Sequence, residues 1–176
     1  MVKTKKLLKF IEKYSINKEI LVLNIDNYRY LNKLIDKNYK ISVIKKEDNL
    51  RIYNYTSVIA DDIFNIHNLN KRYEISVIND LFEYKSDKDI NKIMKVAINN
   101  SECLIFDAAI SNYFCDLDHN DIRYLNTDYW YSLFKKYNLV IIEEYSYRIN
   151  IFERHKIFVV RKKEDGRYEM ISGHRR

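Results

Sequence analysis

The chain offers four histidines and two cysteines in 176 residues, so few side chains are available for acid–base or metal chemistry. His119, in the run Asp116-Leu117-Asp118-His119-Asn120, is the leading candidate for a general base. A neutral imidazole near pH 7 can take a proton from a hydroxyl or an amine. A loop histidine with no catalytic task is the competing reading, and His67, His155 and His174 read as surface residues. The same run begins like a calcium-binding loop, but Asp121 stands at the sixth place, where glycine is needed, and Thr127 at the twelfth, where glutamate is needed. No metal site is read there. Cys103 and Cys115 are too few for a disulfide framework, and no Cys/His spacing resembles a zinc site. Both read as reduced thiols, with Cys103 in a buried strand.

Polar residues at the ends of apolar runs are the second source of chemistry. LVLNIDNYRYLN, from Leu21 to Asn32, is an apolar strand passing through a turn into a helix. Such a turn cradles a nucleotide in many α/β proteins, where glycines admit the ligand to the backbone. This one has no glycine, and another residue at positive φ costs about 1 kcal/mol or more. Asp26 or Asn27 can cap the following helix. Asn79 and Asp80 end a later strand, where open α/β sheets bind ligands; a simple Asn-Asp turn explains them equally well.

The elements that must hold these residues follow from periodicity. Leu7, Leu8, Ile11 and Tyr14 mark an amphipathic helix over residues 4–14, with a lysine-rich outer side. Strands are predicted at about 20–25, at Lys40–Ile44, at 56–60 and at 73–79, with a helix around Leu31, Leu34 and Ile35. Ser86-Asp87-Lys88-Asp89 has the form of a capping box, and Ile90, Ile93, Met94, Ala97 and Ile98 continue it as a helix. A strand is predicted at 103–106. Thr127 can cap a helix burying Trp130, Leu133, Phe134 and Tyr137. Two strands, 139–149 and 155–163, then follow without an intervening helix and should pair antiparallel. A short return strand is predicted at 167–171, after a tight turn at Glu164-Asp165-Gly166.

Bulk properties set the frame. A hydrophobic content of 47% supports one core, and the chain reads as a single domain over 1–176: helix 1–18, core 19–163, basic tail 164–176. No run approaches the roughly 18 to 20 apolar residues of a membrane span, so a cytoplasmic protein is expected. The net charge of +6 favours anionic partners, but 25 acidic residues are interspersed with the 31 basic ones.

Alternating strands and helices closed by an antiparallel hairpin resemble class I S-adenosylmethionine-dependent methyltransferases. The likeness spans about residues 19–163. In that family the first strand ends in V-L-D-x-G-x-G-x-G; here Val22-Leu23-Asn24-Ile25-Asp26-Asn27-Tyr28-Arg29-Tyr30 stands in its place, with Asn24 for the acid and Asp26, Tyr28 and Tyr30 for the glycines. Tyr73-Glu74 through Glu83-Tyr84 is similar to the fourth-strand pattern F-D-x-V-x-x-x-x-x-L-E-H. Ala60-Asp61-Asp62 looks like the acidic turn near the adenine. Lys45 occupies the usual place of the acid for the ribose hydroxyls, with Glu47 two residues on. Asp116–His119 and Asp128–Phe134 are similar to the D-x-x-H and Y-W-x-x-L-F stretches of some small methyltransferases.

The resemblance implies an α/β, Rossmann-like fold: a mostly parallel seven-stranded sheet with a C-terminal antiparallel hairpin and helices on both faces. It implies S-adenosylmethionine as a cofactor, held by Asn24, Asp26, Tyr28, Glu47, Asp61, Asp62, Asn79 and Asp80, with His119 as catalytic base. The expected function is methyl transfer to a small-molecule, glycan or lipid-linked acceptor. The alternative is an inactive methyltransferase-fold protein serving as a binding or stimulatory subunit for a protein partner, and contact with nucleic acid is compatible with either. Tyr28 and Tyr30 bear on that choice, since they can close the cofactor pocket or pack on the sheet.

Overall fold

The computed structural model describes residues 2–23, 29–45, 57–60, 69, 71–113 and 122–164. The chain order is α1 (Val2–Tyr14), β1 (Glu19–Leu23), α2 (Arg29–Ile35), β2 (Lys40–Lys45), β3 (Ser57–Ala60), β4 (Tyr73–Ile78), a short 3₁₀ turn (Phe82–Tyr84), α3 (Asp87–Asn100), β5 (Ser101–Asn112), α4 (Thr127–Lys136), β6 (Leu139–Arg148) and β7 (Glu153–Lys162). The strands form a mixed sheet in the order β3-β2-β1-β4-β5-β7-β6. Pairings from β3 through β5 are parallel; β7 runs antiparallel to both β5 and β6. The sequence predicts this hairpin, because two successive strands without a crossover can pair only antiparallel.

Each face of the sheet has its own apolar layer. On one, α3 and α4 bury Ile90, Ile93, Met94, Trp130 and Phe134 against Leu104, Phe106, Phe158 and Val160. On the other, α1 and α2 bury Leu7, Phe10, Ile11, Leu31 and Leu34 against Ile20, Val22, Ile75, Val77, Ile105 and Val159. Full burial of one such side chain contributes about 1.5–3 kcal/mol. Tyr30, a candidate for closing the cofactor turn, is buried in the second layer and packs on the sheet.

Local capping agrees with the sequence at one helix and shifts by a residue at the other. Ser86 caps α3, its Oγ accepting the Asp89 N–H at 3.2 Å. α4 is capped by Asn126 and not by Thr127: the Asn126 Oδ1 accepts the Tyr129 N–H at 2.9 Å, and Thr127 is already helical. The predicted strand 103–106 also proves longer, running on to Asn112 because β7 pairs along it as far as Glu153. That extension carries Asp107 inside. The predicted return strand at 167–171 lies outside the described residues.

In a chain with so little glycine, other residues take the left-handed conformation. Lys18, Asn38, Asp80 and Asn138 have φ between 52° and 63°. Asn and Asp tolerate this region better than most residues, and three of the four are of those types.

Candidate functional site

The ionisable cluster begins with strand alternation on β5. Leu104, Phe106 and Ala108 face the α3/α4 layer, so Cys103, Ile105 and Asp107 face α1. Cys103 is a buried thiol pushed up to about 12 by burial, in keeping with an inert strand residue. Asp107, two residues further, is fully buried at the carboxyl end of the α1-side layer. Its Oδ1 accepts the Asp80 backbone N–H at 3.0 Å, which fixes Asp80 in its left-handed turn just beyond β4. Its Oδ2 lies 2.7 Å from the Lys3 Nζ and 3.4 Å from the Tyr147 hydroxyl.

Lys3 reaches this point from the first turn of α1. It stands four residues before Leu7, on the face that helix buries, and its ammonium bridges Asp107 and Asp80. Asn79 is buried beside it and donates from Nδ2 to the Asp80 Oδ2 at 2.9 Å. Burial alone would lower the Lys3 pKa, but the charges of Asp107 and Asp80 outweigh it and hold the ammonium above its ordinary value.

Glu83 enters from the 3₁₀ turn. Phe82 anchors that turn in the opposite layer, 5.2 Å from the rings of both Phe106 and Trp130. The Arg123 N–H bonds the Glu83 carbonyl at 2.6 Å, and the Leu125 N–H bonds the Ala109 carbonyl at 3.0 Å, stitching the turn to β5. Glu83 is only 5% exposed, and neither carboxyl oxygen has a hydrogen-bond partner among the described residues. Burial, and then the charge of Asp107, push its pKa up to about 8. Burial also raises Asp107, with Lys3 opposing. At neutral pH Glu83 therefore holds a proton while Asp107 pairs with Lys3.

The hairpin completes the cluster. His155 pairs with Ala109 in register, so its ring lies beside the carboxyl end of β5, 4% exposed. The surface position expected from its sequence context is corrected here: alternation along β7 turns it inward with Ile157 and Val159. Its Nε2 lies 2.6 Å from Glu153 Oε1, and its ring stacks obliquely on Tyr147 with centroids 5.5 Å apart. Beside these two residues opens a pocket of about 340 Å³, lined also by Ile110, Arg148, Arg154 and Lys156.

Of the residues singled out in the sequence, Asn79 and Asp80 belong to this cluster. Asn24, Asp26, Tyr28, Glu47, Asp61, Asp62 and His119 lie outside the described residues, as do Cys115, His67 and His174. Lys3, Glu83, Asp107, Tyr147 and His155 were not predicted as site residues. An acid within CLIFDAAI and a lysine on the apolar stripe of a helix were the available signals. Glu74, matched to the acid of the fourth-strand pattern, holds the α1–β1 connection, accepting from Ser15 Oγ at 2.8 Å and from the Asn17 N–H at 2.9 Å.

No family model matches the sequence, and no curated protein does. Solved structures do match the fold. Magnesium protoporphyrin IX methyltransferase from Synechocystis, with bound SAH, superposes with a TM-score of 0.70 at 8% identity, over 92% of this chain and 82% of that one. The chain has the class I methyltransferase fold. The methyltransferase domain of bacterial CtHen1 aligns at a TM-score of 0.70 and 11% identity, over 91% of this chain and 96% of that one. The glycopeptide N-methyltransferase MtfA, complexed with sinefungin, aligns at 0.69 and 11%, over 91% and 86%. In this methyltransferase fold the carboxyl ends of β3, β2, β1 and β4 share one edge of the sheet. The segments following β1, β2 and β3 carry the residues that the family resemblance assigns to the cofactor, and the Asn79-Asp80 turn follows β4.

Proposed function

We propose that this chain is a divergent S-adenosylmethionine-dependent methyltransferase acting on a small-molecule, glycan or lipid-linked acceptor. The observation that carries the reading is the cluster of Lys3, Asp80, Glu83, Asp107 and His155 at the carboxyl edge of the sheet, in which Glu83, Asp107 and His155 are buried and Lys3 and Asp80 partly exposed. Gathering such groups in an interior is costly, and apolar replacements of the same volume commonly stabilise a fold. Burial on this scale, at the edge where open α/β sheets bind ligands, is a mark of function. The neighbouring structures bound to SAH and sinefungin support the cofactor.

When bound, S-adenosylmethionine supplies an electrophilic methyl group on a sulfonium. Asp26, Glu47, Asp61, Asp62 and Tyr28 hold it in this reading, with Asn24 beside them, while Asn79 and Asp80 border the transfer site. The carboxylates of the cluster favour the positive sulfonium, and His119 takes the proton that the acceptor loses. The pocket beside Tyr147 and His155 falls in the size range of small-molecule sites, and its Arg148 and Arg154 suit an acceptor with an anionic group. No helix among the described residues is long and apolar enough to cross a membrane, which leaves a lipid-linked acceptor to be met at a surface.

A second reading, in which catalysis is lost and the fold serves as a binding subunit, draws on Lys3: its ammonium already neutralises the acids that would face the sulfonium. Thermal unfolding separates the two. Cofactor at about 100 times its Kd stabilises a fold by roughly 2.7 kcal/mol, or several degrees in a chain of this size. No shift with millimolar S-adenosylmethionine or S-adenosylhomocysteine would rule out the enzyme.

A further inference from the structure

We propose that Glu83, Asp107 and His155 form a divalent metal site, in which the ion and Lys3 compete for Asp107. One ligand atom from each of the three residues lies within 4.8 Å of the others, and all three side chains are buried. Around a first-row ion with bonds of about 2.1 Å, opposite ligands stand about 4.2 Å apart and adjacent ones about 3 Å, so the three side chains draw inward to close the set. The site does not depend on methyl transfer and stands or falls separately from it.

The state of these ligands distinguishes them from an ordinary acidic cluster. Glu83 has both carboxyl oxygens without a hydrogen-bond partner among the described residues, in an interior where such atoms are nearly always satisfied. His155 is prepared in the manner of a metal-binding imidazole. Its Nε2 faces the Glu153 carboxylate at 2.6 Å, which selects the tautomer whose bare Nδ1 lone pair is free to coordinate, and Nδ1 has no partner among the described residues.

Binding of a divalent ion frees carboxylate and imidazole ligands of their protons, as metal binding does generally. Two carboxylates with one imidazole suit a hard-to-borderline ion such as Mn²⁺, Co²⁺ or Zn²⁺ better than a soft one. Of the three ligands, His155 also lines the pocket beside Tyr147, and remaining coordination positions go to water or to a ligand oxygen.

The test is Mn²⁺ titration of chelator-treated protein, read by loss of the free-ion paramagnetic resonance signal. One ion should bind per chain, with nitrogen hyperfine coupling from the imidazole. Glu83→Gln and His155→Asn should each weaken binding at least tenfold, and Glu153→Gln roughly tenfold through loss of orientation alone. Lys3→Met should tighten it. Absence of stoichiometric binding at millimolar Mn²⁺ overturns the site, as does binding without nitrogen coupling, a readout that needs no variant to fold. Unchanged affinity in Glu83→Gln overturns it too, and unchanged affinity in Lys3→Met overturns the competition.

Discussion

The two faces of the sheet end differently, although the same strands build both. Toward α3 and α4 the layer stays apolar to its edge and closes on interlocked rings: Phe106 lies 5.0 Å from Trp130, 5.2 Å from Phe158 and 5.9 Å from Phe134. Toward α1 the layer is equally apolar through Ile105 and Val77, then gives way to Asp107, Glu83 and His155. Phe106 and Asp107 are consecutive residues, both fully buried. The contrast separates what holds the fold from what the fold holds: the aromatic face has no polar work to do, and the α1 face accepts a cost in stability for groups that can bind a cation or move a proton.

Breaking the aromatic face should have the largest effect. Phe106→Ala leaves a cavity among four rings, and a loss of about 3–5 kcal/mol is expected, visible as a lower urea midpoint. The loss should be nearly the same at all pH values. A pH-dependent loss would mean that the two layers are coupled.

The next effect sharpens the contrast through pH. Glu83 carries its proton in the folded chain up to about 8, against an ordinary value of 4.5 when unfolded. Between those values the folded state binds a proton that the unfolded state has released. The contribution is therefore complete below the unfolded value and is lost as pH rises through the folded one. Metal-free protein should lose on the order of a few kcal/mol across that window and level off above it. Glu83→Gln should flatten the slope in urea denaturation, and a slope unchanged in that variant would assign the titration elsewhere.

The smallest of the three probes Asp107 itself. Asp107→Asn keeps the shape and the acceptor for the Asp80 N–H but leaves Lys3 only Asp80. A loss of roughly 1–2 kcal/mol is expected near neutral pH, well below that of its neighbour Phe106→Ala. A loss as large as the cavity variant's would show that the ion pair, and not the aromatic layer, anchors β5.

Much of the architecture was legible in the sequence. The stripe from Ile90 to Ile98, the Ser86 cap and the unbroken succession of β6 and β7 each depend on neighbours within a few residues, where helical and strand spacing fix which side chains share a face. The site was less legible. Asn79 and Asp80 could be placed by their position after a strand, but His155 read as a surface residue and Asp107 fell beyond the predicted end of its strand.

Local geometry thus determined, from sequence alone, the elements, their apolar faces and the alternation that implies a parallel sheet with a closing hairpin. Only the tertiary structure decided that Lys3, Asp80, Glu83, Asp107 and His155 would meet. Their separation along the chain carries no information about distance. They converge because the sheet order places β4, β5 and β7 side by side and α1 lays its first turn across their edge, a consequence of burying both layers at once.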